Sequence, residues 1–349
     1  MDATFVSGLI RPFAELGLND RASVGGKGAS LGELTRAGIP VPPGFVVDTI
    51  SFHHFLEAID PDGAMRRRLE TIEPESTAAI AQAGTDMRAR VEASALPLPL
   101  TAAILRGYEG LGGGPVAVRS SATGEDSEDA SFAGLQDTYL WVTGADAVIA
   151  NVRSCWASLY SAESLSYRRK LKLSEDGLAM GVVVQRMVEA ACSGVMFTRS
   201  PATGDRSVVV VEASYGLGSC VVSGEVTPDR FVINKVTGDI VERSISVKAH
   251  QHLPDLDNGG VRSLAVPDAA QTVACLSDDV LHALAALARR VERHYGSPQD
   301  IEWAMSRDGD IFLLQSRPET VWSRREPQPI SQATANPLDH VFAVFGGKR

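Results

Sequence analysis

Cysteine is scarce: four residues in 349, at positions 155, 192, 220 and 275. None is spaced as a paired Cys-x-x-Cys zinc site, so the reading is of buried, reduced thiols in a cytoplasmic protein. Positive charge is not in excess either. The formal net charge of −10 argues against a nucleic-acid partner, which needs a basic face to neutralise phosphates. A nucleotide site can still be locally positive within an acidic chain. No run of 18 apolar residues occurs, which argues against a membrane span. The N-terminus has no basic start followed by a long hydrophobic segment, so no secretory signal is expected. What remains, 44% hydrophobic and 22% charged, is the composition of a soluble globular protein, long enough for two or three lobes.

The most informative stretch is DIEWAMSRDGDIFLLQSR, residues 300–317. Two runs rich in Ile, Trp, Phe and Leu flank Asp308-Gly309, and Asp-Gly is the strongest short-range signal for a two-residue hairpin turn. Counting outward from that turn places Ser306 opposite Ile311, Glu302 opposite Gln315 and Asp300 opposite Arg317. Opposed residues have Cβ atoms about 5 Å apart, so Glu302 and Gln315 can both reach one hard cation. A carboxylate, an amide oxygen and an arginine on one face suit a magnesium-bound polyphosphate. A solvated sheet face with one cross-strand ion pair is the other reading.

Earlier in the chain, SVGGKGASLGELTRAGIPVPPGFVV carries Gly25, Gly26 and Gly28 around Lys27. The glycines allow close backbone approach to a ligand, and Ala29 or Ser30 opens a helix through Leu31, Leu34 and Ala37. Lys27 is therefore a phosphate-binding candidate, with a flexible turn as the alternative. It is not a Walker loop, because Arg21 stands where that motif needs glycine and no Ser or Thr follows the lysine. The prolines at 40, 42 and 43 exclude helix and lead into a strand.

Residues 51–110 read as helices, with Phe52, Phe55, Leu56 and Ile59 on one stripe. PVAVRSSA then reads as a buried strand ending in Arg119, Ser120 and Ser121, followed by the polar segment TGEDSEDASFAGLQD and a return strand. Such a loop can fold over phosphates, and Arg119 offers a bidentate fork. Ala145 to Tyr160 is an amphipathic helix. Apolar strands dominate from Gly181 (GVVVQRMV, GVMFTRS, VVVVEAS), then the glycine-bearing SYGLGSCVVSGEV and the hairpin DRFVINKVTGDIVERSI. Residues 255–270 read as a polar connection, and Ser277 caps a helix facing Val280, Leu281, Leu284, Leu287 and Val291 to the core.

Taken in order, GGKGASLGEL, VAVRSSATGEDSEDASFAGLQDT, VVVQRMV, SGVMFT, EASYGLG, DIEW and LLQSRPET resemble the nucleotide-binding portion of the phosphoenolpyruvate synthase and pyruvate phosphate dikinase family, which rifampin phosphotransferase and the phenylphosphate synthases share. The resemblance covers residues 10–322. It implies an α+β, ATP-grasp fold of two lobes with the nucleotide in the cleft between them. The expected divisions are residues 1–180, an N-terminal lobe with the Gly-Lys and phosphate-covering loops; 181–322, a C-terminal lobe with the metal-binding hairpin; and 323–349, a tail that is frayed or docks a partner.

By the same resemblance, Lys27 and Arg119 hold ATP phosphates, Glu302 and Gln315 ligate Mg2+, and Asp300 and Arg317 complete the triphosphate site. Lys27, Arg119 and Arg317 would do the catalytic work by neutralising charge. Gly134 belongs to the covering loop. The segment Gln185, Met187, Val188 to Glu189 corresponds to the adenine edge, and Glu212 is a further ATP-binding candidate. Family members pass the phosphoryl group to a histidine in a Thr-x-His setting. None of the seven histidines, at 53, 54, 250, 252, 282, 294 and 340, has it. The resemblance therefore implies one half-reaction, with the phosphohistidine and the acceptor domains on a separate subunit, as in a phenylphosphate-synthase-type dikinase acting on a phenol or cresol. A pyruvate, glucan or drug acceptor, a fragment of a longer synthase, and a nucleotide-sensing module are the alternatives.

Overall fold

The computed structural model describes residues 8–123, 137–175, 177–320 and 322. Two antiparallel sheets carry the fold. The first has the order β1-β2-β5-β3-β4, built from β1 (Ile10–Pro12), β2 (Gly44–Val47), β3 (Val116–Ala122), β4 (Thr138–Val142) and β5 (Met180–Arg186). Its helices are α1 (Arg21–Arg36), α2 (Thr49–Ile59), α3 (Ala64–Glu70), α4 (Thr77–Ala93), α5 (Leu98–Gly110), α6 (Ala145–Ser158) and α7 (Ala162–Lys170). The Phe52, Phe55 and Leu56 stripe of α2 meets Val148, Val152 and Trp156 of α6 in one core, under Val116, Val118, Val182 and Val184 of the sheet.

The second sheet has the order β13-β12-β6-β7-β8-β9. It comprises β6 (Ala190–Phe197), β7 (Val208–Tyr215), β8 (Asp229–Asn234), β9 (Ile240–Ser244), β12 (Gln299–Ser306) and β13 (Ile311–Pro318), with the short helices α8 (Ser219–Val222) and α9 (Asp268–Gln271) beside it. One face is covered by α10 (Asp278–Tyr295), whose Leu281, Leu284, Ala288 and Val291 are wholly buried against Val209, Val211, Phe231, Ile301 and Trp303. Each such Leu or Val contributes about 1.5–3 kcal/mol of burial. Gly296, left-handed at φ 69°, ends the helix. The fold is α+β, in the two-sheet arrangement expected of an ATP-grasp chain.

Three sequence expectations change. β5 pairs with β2 and β3 at the middle of the first sheet, so the first lobe extends through residue 186 and not to residue 180. Apolar strands from both lobes run together in the sequence, and composition alone does not separate them. Residues 255–270 are not a plain connection, since β10 (His250–Pro254) and β11 (Val261–Ala265) form an antiparallel hairpin through them. Its signal, Asn258-Gly259 between two short alternating runs, was present.

The third change concerns the hairpin turn. Met305, not Ser306, pairs with Ile311, because three residues, Arg307 to Gly309, form the loop, with Gly309 at φ 91°. A one-residue slip moves a whole strand to the other face. Here an irregularity between Glu302 and Trp303 undoes it: Trp303 pairs with Leu313 while Glu302 pairs with Gln315, leaving Leu314 as the extra residue. Glu302↔Gln315 and Asp300↔Arg317 thus stand as counted, by cancellation of a longer turn and a bulge.

Candidate functional site

The glycine-lysine segment is positioned by the end of β3. Gly25 breaks α1 with φ 72°, and a Cβ there would lie 2.0 Å from the Ser121 carbonyl oxygen. Only glycine accepts both demands. Ser121 Oγ donates to Val24 O at 2.8 Å and accepts from Gly28 N–H at 3.1 Å. A distant serine therefore caps the helix, which resumes at Gly26, earlier than the expected Ala29 or Ser30. Lys27 sits half-buried in this first turn and lines the cleft.

Arg119, two residues back along β3, crosses to the second sheet. Its Nη2 donates to Gln315 Oε1 at 2.7 Å and to Glu302 Oε2 at 3.0 Å, and its Nη1 to Leu314 O at 2.9 Å. The bulge explains the last bond, since a residue outside the ladder keeps its carbonyl for other donors. Arg119 Nε is buried without a partner among the described residues, an uncommon state for a strong donor. Beside this group, Arg317 Nε donates to Asp300 Oδ2 at 2.8 Å. Burial pushes the Asp300 carboxyl above its ordinary value; Arg317 opposes this, while the charges of Glu302 and Glu319 add to it.

Glu302 and Gln315 present hard oxygen donors on one spot, converging on a single guanidinium nitrogen. Among the described residues no cluster of three His, Cys, Asp or Glu makes a self-sufficient metal cage. A site of one carboxylate and one amide, completed by phosphate oxygens and water, suits Mg2+, which keeps much of its hydration and favours substrate phosphates. The donor set therefore fits that ion.

The cleft between the sheets encloses about 420 Å³. One end holds Lys27, Arg119, Glu302, Gln315 and Arg317. The other is apolar: Ala190, Leu217 and Ala304 are buried there, with Met187, Val188 and Leu314 packed around them. An apolar slot leading into a cluster of cations and oxygen donors has the polarity that a base joined to a triphosphate requires.

Not every candidate is brought here. Gln185 lines the cleft but is 2% exposed, and its Nε2 donates to Pro42 O at 3.3 Å. The Met187 N–H is already donated to Pro115 O at 2.9 Å, so that backbone donor is committed within the first lobe. Glu189 lies outside the cleft lining and pairs with Arg307 at 3.1 Å, both largely exposed at the hairpin turn. Glu212 shares a cross-strand row with Glu302 through Val195, two strands or about 10 Å away, and does not line the cavity. Burial raises its pKa; Arg230 opposes and the charge of Asp300 adds. Gly134 and the tail from residue 323 lie outside the described residues. Among the lining residues that sequence reasoning did not single out are Ser193, Leu217, Ser219 and Leu314; the motifs SGVMFT, EASYGLG and LLQSRPET contain or adjoin them.

A profile of the family described as "Pyruvate phosphate dikinase, AMP/ATP-binding domain" matches residues 21–336. The chain belongs to this family. Among curated proteins it is similar to a probable phosphoenolpyruvate synthase of Methanothermobacter thermautotrophicus, 41% identical over 88% of this chain and 45% of that protein. It is similar also to a rifampicin phosphotransferase of a Streptomyces species, 42% identical over 86% of this chain and 34% of that protein. The chain spans less than half the length of these relatives. Among solved structures, D-alanyl-alanine synthetase A from Vibrio cholerae aligns at a TM-score of 0.29 and 10% identity, over 70% of this chain and 56% of that one. At that score the likeness adds nothing to the architecture seen in the strands themselves. Membership makes this an ATP-binding domain of the synthase and dikinase family. Among the described residues no helix is long and apolar enough to cross a membrane.

Proposed function

We propose that the chain binds Mg-ATP in the cleft, with the base in the apolar slot and the phosphates at Lys27, Arg119 and Arg317, and that it transfers a phosphoryl group to a histidine on a separate subunit. The observation that carries this reading is the Arg119 guanidinium held between Glu302 and Gln315 across the cleft. Arg119 donates to both of these oxygens. Its fork would contact phosphate oxygens, and Glu302 and Gln315 would hold the cation. Mg2+ supplies charge neutralisation at the phosphate oxygens when bound. Lys27 and Arg317 flank the transferring group, and catalysis is positioning plus electrostatics.

The onward acceptor is a small hydroxyl or enol compound, with a phenol or cresol as the first candidate, the overall reaction taking ATP, water and the acceptor to AMP, inorganic phosphate and the phosphorylated acceptor. Support comes from the match to the ATP-binding domain family and from relatives whose names differ in product and acceptor. The test is a native pull-down followed by incubation of the recovered complex with Mg-ATP labelled at the β- or γ-phosphate. An acid-labile phosphohistidine on a co-purifying subunit is the expected result. A complex that binds ATP and never turns it over would favour a nucleotide sensor.

A further inference from the structure

The glycine segment after β7 is held by the β10–β11 hairpin in an unusual way. Gly216 sits at φ 70°, where a Cβ would lie 2.4 Å from His252 O. That same carbonyl accepts the Leu217 N–H at 2.9 Å. The side chain of His252 then grips the next turn: Nδ1 lies 2.8 Å from Ser219 Oγ, and Nε2 lies 3.1 Å from Glu225 Oε2. Leu217 is part of the apolar slot, and Ser219 lines the cleft next to it.

The directions of these bonds follow from hydrogen counting. The Ser223 hydroxyl and the imidazole hold the Glu225 carboxyl below its ordinary value, so it is an acceptor only. Nε2 then carries a hydrogen toward Glu225, and with that as the ring's one hydrogen Nδ1 is the acceptor. Ser219 therefore donates its one hydroxyl hydrogen to His252. Toward the cleft it has only lone pairs to offer.

We propose that Ser219 is a specificity-determining residue of the nucleotide site, whose oxygen, fixed as an acceptor by the His252–Glu225 relay, takes a hydrogen bond from a donor on the nucleoside. This deepens the Mg-ATP reading above and rests on it. The donor is a ribose hydroxyl or the exocyclic amine of adenine, because these are the hydrogen-bond donors that the nucleoside carries. His252 is a positioning residue: it sets which way the serine hydroxyl points and touches no ligand.

The test is calorimetric binding of ATP, 2′-deoxy-ATP, 3′-deoxy-ATP and inosine triphosphate, each with Mg2+, to the full chain and to its Ser219→Ala and Ser219→Thr variants. The wild type is expected to bind ATP about three- to tenfold more tightly than one of the three analogues, the worth of one neutral hydrogen bond. Which analogue is weakened identifies the donor. Ser219→Ala brings ATP down to the affinity of that analogue and leaves the analogue itself unchanged, while Ser219→Thr keeps the preference. Equal affinity of the wild type for all four nucleotides would overturn the proposal without reference to any variant, as would a Ser219→Ala protein that retains the wild-type ratios. In either case loss of affinity for all four in Arg119→Ala would leave the nucleotide site itself standing. A wild type that binds none of the four overturns both readings.

Discussion

Arg119 and Glu302, 183 positions apart, meet at 3.0 Å across the cleft, and through that bond the middle of β3 in one sheet is tied to the hairpin of the other. Its energetic worth depends on burial. The Arg119 side chain is 9% exposed and that of Glu302 29%, so the arginine end of the bond is the more shielded from water.

Replacing Arg119 by lysine keeps the charge and removes the fork. A lysine cannot span Leu314 O, Gln315 Oε1 and phosphate oxygens together. Loss of one charge-assisted hydrogen bond costs about 1.5–3 kcal/mol, so Arg119→Lys is expected to weaken ATP binding by roughly ten- to a hundredfold. Titration calorimetry checks this; unchanged affinity would remove Arg119 from the phosphate site.

Asp300 sets stability against function. Its carboxyl holds a proton more tightly in the folded chain than in the unfolded one. Its contribution to stability is therefore complete below the unfolded pKa and is lost as the pH rises through the folded value. Asp300→Asn should melt higher than wild type at neutral pH, with the gap closing in acid, and should bind ATP less well because Arg317 loses its anchor. Melting curves from pH 3 to 8, a range of about 5 units that spans the carboxylate titration, decide it. A variant that melts lower at every pH would mean that the Arg317 bond outweighs desolvation.

Gly25→Ala tests the clamp that places Lys27. A non-glycine residue at that φ costs about 1–3 kcal/mol, and the added Cβ meets the Ser121 carbonyl. Lower thermal stability and weaker ATP binding are expected together; Gly224→Ala, also at positive φ but with open space around it, should lower only stability.

A control lies outside the cleft lining. Arg168 and Glu175 form a two-pronged pair, 3.0 and 3.1 Å, with both side chains 1% exposed. Removing one partner of a buried pair leaves a lone charge and costs about 3–5 kcal/mol. Glu175→Ala is expected to lose that much stability in urea and, at temperatures where it stays folded, to bind ATP as wild type does.

The parts of this fold legible in the sequence were those written in local chemistry. The β-branched runs marked β3, β5 and β7, and the α10 stripe marked its core face. Glu302 and Gln315 were paired correctly for an incomplete reason, since the Asp-Gly turn has one more residue than counted and Leu314 restores the register. A bulge depends on what the strand meets, here Arg119, and no local pattern announces it. The start of α1 was misread for a similar cause: its cap, Ser121, is 93 residues from Gly28. Glu189 carried the right chemistry for a nucleotide contact but turns to Arg307 at the hairpin tip, a contact between distant segments. The Ser219, His252 and Glu225 relay likewise joins two segments that only the tertiary fold brings together.

The central claim is that Glu302 and Gln315 serve a cation that accompanies ATP, and the affinity of ATP with and without Mg2+, in wild type and in Glu302→Ala, tests it most directly. Tighter binding in the presence of Mg2+ for wild type, with that dependence lost in Glu302→Ala, is the predicted result. A Glu302→Ala chain that binds Mg-ATP as tightly and with the same Mg2+ dependence as wild type would contradict it.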